Sequence, residues 1–419
     1  MSKKQVNAGY WANVWQRFRS RPAGRLALRS LSVFVLVAFL APFVANERPV
    51  YAKMEGRTYF PLFQGVLVDL GWRSWDARLL PAEDWLDKTY DKVWYTLIPY
   101  SPASIDHRNL NARGPFERQR VESLRFRHWL GTDKTGRDVA AGMLHGTRMA
   151  LWVGLVAIGV ALFFGLSLGG LAGYFGDQGL VIRKSTLAIW ALFAPLSLFY
   201  VVYLPGLSSE PSWQTQVLIL LVYLITPLIL AMLLSRIFSR FLPKLGQITL
   251  PLDTLLMRLL EVVDAIPATI LVLALIATME QPDTTYIMVV VGVVGSASVA
   301  RFVRAEFLRV RKQTYMEAGR ALGFGHFRLI FRHALPNAVG PLLVLLSFSM
   351  AGAILTESSL SLLGIGAADR VTWGSILGGL RGQHEIEWWL AFFPGMAIFC
   401  TVLTFKYLGE GLSEALGEK

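Results

Sequence analysis

The chain has 419 residues; 54% belong to the set AVILMFWYC, only 17% are charged, and the formal net charge is +12. A mean hydropathy of +0.46 is too apolar for two or three water-facing domains, and a disordered chain would be poor in aliphatic and aromatic residues. The single cysteine, Cys400, excludes an intrachain disulfide framework and a thiolate zinc site.

Near the N-terminus, Trp11, Val14, Trp15 and Phe18 fall at i, i+3, i+4 and i+7, with Arg17, Arg19 and Arg21 beside them. That pattern predicts an amphipathic helix lying along a membrane interface rather than a loose tail. A bilayer-crossing helix needs about 20 mostly apolar residues. Eight stretches are candidates: 26–45, 149–175, 185–204, 213–234, 265–279 (short unless extended back through Leu255), 286–300, 338–363 and 388–408. Unsatisfied backbone groups are costly in lipid, so all are expected to be helices. The basic region before the first span is too long for a signal peptide and no A-x-A pattern follows closely, so that span is expected to stay as an anchor.

Basic residues set the orientation. They cluster before the first span (Lys3, Lys4, Arg17, Arg19, Arg21, Arg25, Arg29), between the fourth and fifth (Arg236, Arg240, Lys244, Arg258), and between the sixth and seventh (Arg301, Arg304, Arg309, Arg311, Lys312, Arg320, Arg328, Arg332). With both termini cytoplasmic, all three clusters fall inside. Topology thus accounts for the excess charge, and basic residues on alternate loops form no continuous stripe for nucleic acid.

Two segments interrupt the spans. Residues 46–130 are polar but carry Tyr51, Tyr59, Phe60, Trp72, Trp75, Trp85, Trp94 and Tyr95. So long a connection predicts a small folded extracytoplasmic element. The basic loop after the sixth span predicts a helix over 312–322, ended by Gly323 in the left-handed conformation, and a second helix over 326–334 stopped by Pro336. Ala318 and Gly319, next to Glu317, leave room for close approach of another protein's surface.

No G-x-x-x-x-G-K-[ST] phosphate cradle and no H-E-x-x-H occurs. His107, His128, His145, His326, His333 and His384 are scattered, none at mid-depth of a span, so no proton relay or metal site is built on them. Gly165-Leu-Ser-Leu-Gly169 matches the nucleophile-elbow pattern, but inside a glycine-rich membrane helix it predicts close helix packing. Glu357, toward the outer end of the seventh span, is a candidate for gating or for a structural role. Glu261 and Asp264 lie near the inner end of the fifth span close to Arg258, where a local ion pair is the plainer reading and gating the sharper one.

The basic loop carries a resemblance. Glu317-Ala318-Gly319, then Gly323, then Leu335-Pro336 resembles the EAA loop of ABC importer permeases, with Gly319 where that family usually has Ala. His128-Trp-Leu-Gly-Thr-Asp-Lys-Thr-Gly-Arg-Asp138 looks like the H-x-x-G-T-D-x-x-G-R-D signature of the C-type subunit of dipeptide, oligopeptide and nickel permeases. Blocks at Leu256–Arg258, Ala265–Pro267, Arg301–Glu306, Thr356–Gly364, Trp373-Gly374, Pro394-Gly395 and Leu408–Leu412 follow in the family's order. Ala45–Pro49 with Tyr59–Leu62 is similar to the permease type associated with broad peptide and microcin C uptake.

The resemblance implies an all-α polytopic membrane protein, a type I ABC importer permease of six core transmembrane helices. Added to these are a two-helix hairpin (185–236) and a small extracytoplasmic insert. It divides the chain into a cytoplasmic amphipathic helix (1–25), a first transmembrane helix (26–45), the insert (46–130) and a permease core (131–415) with its coupling loop at 306–337. It further implies a bacterial cytoplasmic-membrane location, and partnership with a second permease subunit, two ATPase subunits and an extracytoplasmic solute-binding protein, which the insert is expected to contact. Glu317, Ala318, Gly319, Gly323, Leu335 and Pro336 would couple to the ATPases. No cofactor is expected in this chain, since ATP and Mg would be bound by the ATPases. Two rival readings are disfavoured: an ion-coupled secondary transporter, because the midplane lacks charge, and an intramembrane enzyme using Ser167.

Overall fold

The computed structural model describes residues 9–417 apart from 70, 76–78, 80–84, 87, 178–180, 185–186, 188–228, 230–232, 234–245, 280–281, 367–369 and 382–386. The expected extra hairpin therefore lies outside the described residues. Among those described, five helices are long and apolar enough to cross a membrane, and a bent pair would make a sixth. The chain divides into two compact units. One comprises Met1–Phe163, Pro267–Ser296 and Val339–Lys419, the other Phe164–Ile266 and Ala297–Ala338.

In the first unit, helix α1 (Tyr10–Ser20) leads into α2 (Pro22–Val44). The amphipathic face expected at residues 11–18 is split. Val14 and Phe18 are buried against Ala415 and its neighbours near the C-terminus, while Trp11 and Trp15 stay exposed. The insert begins with a three-stranded antiparallel sheet: β1 (Tyr51–Met54) pairs with β2 (Arg57–Tyr59) on one side and β3 (Lys92–Trp94) on the other. Between β2 and β3 runs a short helix, α3 (Pro61–Asp69). Helix α4 (Val139–Phe175) starts at the end of the signature motif. Its Gly146 leaves space for Trp373 of the short helix α10 (Trp373–Gly378), whose indole N–H donates to the Met143 carbonyl at 3.0 Å. The last helix, α11 (Trp388–Leu416), packs Ile398 and Phe405 into a core with Ala150, Ile354 and Trp373.

In the second unit, β4 (Val181–Arg183) pairs antiparallel with β5 (Gln247–Thr249), so the chain leaves at 184 and returns at 246 side by side. The expected fifth span is not one rod. Helix α5 (Leu252–Asp264) ends within this unit, and a separate helix α6 (Ala268–Ile276) opens the next stretch of the first unit. Pro267 lacks an N–H and pushes Ile266 out of helical geometry, which breaks the helix there. The sixth span, α7 (Thr284–Arg311), starts in the first unit and runs on through its basic end, which from residue 297 belongs to the second.

The glycine motif serves packing, as expected. A Cβ at Gly165 would stand 2.6 Å from the Val299 side chain, and one at Gly169 would overlap the Ala300 carbonyl, both on α7. Close approach of these backbones is what small residues provide in membrane helices. Gly169→Val is expected to separate the two helices and lower the thermal midpoint, at a cost of roughly 1–3 kcal/mol from overpacking. Ser167→Ala should leave uptake intact. Thermal unfolding in detergent together with vesicle uptake checks both.

Candidate functional site

The EAA-like segment forms a closed helical hairpin. Helix α8 (Thr314–Ala321) ends at Leu322 and Gly323, whose φ is +74°. The Gly323 N–H donates to the Arg320 carbonyl at 2.9 Å and the Phe324 N–H to the Gly319 carbonyl at 3.0 Å. These two bonds form the Schellman pattern, and the residue at its turn needs positive φ, which glycine adopts without steric cost. The helix expected over 312–322 is thus two residues shorter at its start and one at its end.

The second helix is longer than expected. It runs as one element, α9 (His326–Leu362), and Pro336 does not stop it. Residues Leu329–Ala334 adopt π-helical geometry. The wider turn makes room for a proline ring that would strike the preceding turn of an α-helix. Asn337 then takes up a carbonyl near the break, its Nδ2 donating to His333 O at 2.6 Å.

The predicted coupling residues fall on two sides of this hairpin. Glu317 and Ala318 are exposed, as is Pro336, and Leu335 is half-buried. Gly319 faces inward: a Cβ there would lie 2.8 Å from Leu329 and 3.3 Å from Phe324. Its small size seats the second helix on the first rather than admitting another protein. Met316 and Leu329 form the rest of that buried seam. The outer side is apolar. Leu322 is 73% exposed, Phe327 75% and Phe331 52%, with the two phenyl rings 4.4 Å apart.

Polar contacts tie the hairpin and the neighbouring helix ends together within the second unit. Tyr174 on α4 bonds His326 Nδ1 at 2.9 Å, and Arg311 donates to the Phe175 carbonyl at 2.9 Å. Arg304 grips Asp253 with two parallel hydrogen bonds, one at 2.6 Å and one shorter. Of the paired acids on α5, Glu261 makes the local pair with Arg258 at 2.6 Å, whereas Asp264 pairs with Arg301 on α7. Glu357 is buried and accepts a hydrogen bond from Ser361 at 2.7 Å within its own helix. Among the described residues there is no cluster able to hold a metal ion.

The signature motif builds a second polar centre, in the first unit. Asp138 caps α4, its Oδ1 accepting the Ala141 N–H at 2.6 Å. His128 is fully buried. Its Nδ1 faces Asp138 Oδ2 at 2.7 Å, its Nε2 faces Asp106 Oδ2 at 3.1 Å, and its ring stacks on Tyr100 at 4.3 Å. Burial lowers the imidazole pKa, but the bonds to Asp106 and Asp138 and their charges outweigh it, and the net shift is upward. Burial likewise raises Asp106, while bonds from His128 and Asn109 more than reverse this and bring it to about 2. His128 and Asp138 are the two ends of the signature motif, but their contact was not read from the sequence, and nothing there marked Asp106 as the third member. Thr132 and Trp389 extend the knot, Trp389 Nε1 donating to Thr132 O at 3.2 Å.

The chain is similar in sequence to known proteins. A family model described as the binding-protein-dependent transport system inner membrane component matches residues 247–416, which include the hairpin. A second, the N-terminal TM domain of oligopeptide transport permease C, matches residues 9–59. The chain is 29% identical over 293 residues to the glutathione transport system permease protein GsiD of Pectobacterium atrosepticum, covering 70% of this chain and 73% of that one. It is 27% identical to the dipeptide transport system permease protein DppC of Alkalihalophilus pseudofirmus, covering 72% and 75%. With DppC of Bacillus subtilis the identity is 28%, covering 70% and 69%.

The chain belongs to the permease subunits of ABC importers, non-catalytic inner membrane components whose ATPase activity resides in separate subunits. Within them it falls in the peptide-permease class, and it works with ATPase and binding-protein partners.

Proposed function

We propose that this chain forms half of the translocation pathway of an importer for peptides or related small solutes. It pairs with a second permease subunit, two ATPase subunits and an extracytoplasmic solute-binding protein, and both its termini face the cytoplasm. The dipeptide and glutathione names of its relatives support the substrate class. The likeness around Ala45–Pro49 favours the broad peptide and microcin C type within it.

The observation that carries the reading is the hairpin of α8 and the start of α9. Its interior is closed on Met316, Gly319 and Leu329, and its outside presents Leu322, Phe327 and Phe331 near the exposed Glu317 and Ala318. A rigid apolar knob suits docking into a cleft on an ATPase subunit. ATP binding, with Mg, closes the ATPase pair, and the hairpin moves with it. Tyr174–His326 and Arg311–Phe175 pass that displacement to the end of α4. Leu335 and Pro336 carry it along α9 beyond the π-helical turn. Glu357, Glu261 and Asp264 hold helices in place, since each already has a protein partner. The insert of residues 46–130 meets the solute-binding protein.

Uptake into vesicles tests this. ATP depletion should stop transport and a protonophore alone should not; the opposite pattern would point to an ion-coupled carrier. Phe327→Cys in a Cys400→Ser background should crosslink to the ATPase subunit, and a crosslink to extracytoplasmic protein instead would overturn the orientation.

A further inference from the structure

Helix α2 leaves most of one apolar surface uncovered: Val33, Val35, Leu36 and Phe39 are 58%, 52%, 56% and 69% exposed. In a membrane span, lipid covers such a face. The apolar surface does not end where α2 ends. Phe39 meets Phe43 at 6.2 Å, and Phe43 meets Phe63, on α3, at 6.1 Å. The β1–β2 hairpin explains how α3 comes to be there. It carries the chain out and back in antiparallel register, Ala52 opposite Tyr59. The Leu62 N–H then donates to the Pro49 carbonyl at 3.1 Å, which brings the start of α3 back beside the end of α2.

The composition of α3 fits the position. It reads Pro-Leu-Phe-Gln-Gly-Val-Leu-Val-Asp, with no charge before Asp69. One face is turned into the protein: Pro61, Leu62 and Gly65 are buried, and the Arg48 side chain lies across Gly65 so closely that a Cβ would overlap it. The other face presents Phe63, 49% exposed, with Phe60, 52% exposed, just before it. Phe60 continues through Tyr51 at 5.9 Å to Trp94 at 5.3 Å. Tryptophan and tyrosine favour the headgroup level of the bilayer, and an apolar helix face turned away from the protein is buried at the boundary with the acyl chains.

We propose that α3 is a second membrane contact, seated in the lipid interface at the end of α2, with Phe60 and Phe63 turned toward lipid. The insert is then held to the bilayer at α3 as well as by the spans that flank it. The proposal rests on α2 being a lipid-facing span, and the test separates the two. Single cysteines at Leu36, Glu55 and Phe63 are placed in the full-length Cys400→Ser protein. They are spin-labelled, reconstituted with the partner subunits into phosphatidylglycerol–phosphatidylcholine nanodiscs, and probed for oxygen and nickel-chelate accessibility.

The label at 63 should resemble that at 36, with a high oxygen-to-nickel ratio, and differ clearly from the aqueous label at 55. A ratio at 63 equal to that at 55 overturns the proposal, as does low access to both reagents, which would mean a protein partner covers α3. If 36 itself reads as aqueous, the span reading fails instead. Val66→Cys, one helical turn on, carries the same reading should Phe63→Cys fail to accumulate.

Discussion

Gly323→Asp is expected to abolish uptake while the protein still inserts and accumulates. Nothing lies within 4 Å of a Cβ built at Gly323, so a side chain there meets no neighbour within the chain. Its φ of +74° disfavours most residues, but Asp and Asn tolerate the left-handed region better than others do. The turn therefore survives at modest cost. The effect falls on the docking surface, where the carboxylate would be buried without a partner. Such a charge costs about 3–5 kcal/mol, roughly two to four orders of magnitude in association. Gly323→Asn has the same shape without the charge and should fall between wild type and Gly323→Asp. Co-purification of the ATPase subunit and ATP-driven uptake are the measurements. Normal association and uptake in Gly323→Asp would remove the hairpin from the coupling path.

His128→Ala should loosen the knot at the start of α4. It leaves Asp106 and Asp138 facing a buried void, and breaking a buried charged pair costs about 3–5 kcal/mol. The wild-type knot is also pH-dependent. The folded pKa of His128 lies above its ordinary 6.5, so its contribution is complete below about 6.5 and is lost as the pH rises through the folded value. Asp106 works in the opposite sense. Its contribution is present above its ordinary 3.8 and is lost as the pH falls through about 2. Hydrogen exchange of amides in residues 106–138, corrected for intrinsic rates, should therefore show protection falling as the pH is raised from mildly acidic to alkaline. His128→Asn should lose that slope. A wild-type profile flat across this range would show that His128 is held neutral.

Most of the class was legible in the sequence, for reasons that act over short distances. Apolar runs long enough for a bilayer identify α2, α4, α7, α9 and α11, because in lipid the backbone of such a run must satisfy its own hydrogen bonds, as a helix does. Gly323 was legible because positive φ after a helix is a local demand. Pro267 marks the break between α5 and α6 by the same kind of local argument, although the sequence pattern read there as a short single span.

The tertiary structure decided the rest. Pro336 reads as a stop, but a π-helical segment before it lets α9 continue. Gly319 reads as room for a partner, but it faces Leu329 of its own chain. Asp264 reads as a partner of Arg258, yet it pairs with Arg301 on another helix. Neither Asp253 with Arg304 nor Asp106 with His128 has any signature in the sequence. The reason is geometric. A residue's own run of neighbours fixes whether it is helical and how deep it sits. Which way its side chain points, and what it finds there, depends on the rotation of each helix about its axis, and that is set only when the helices pack.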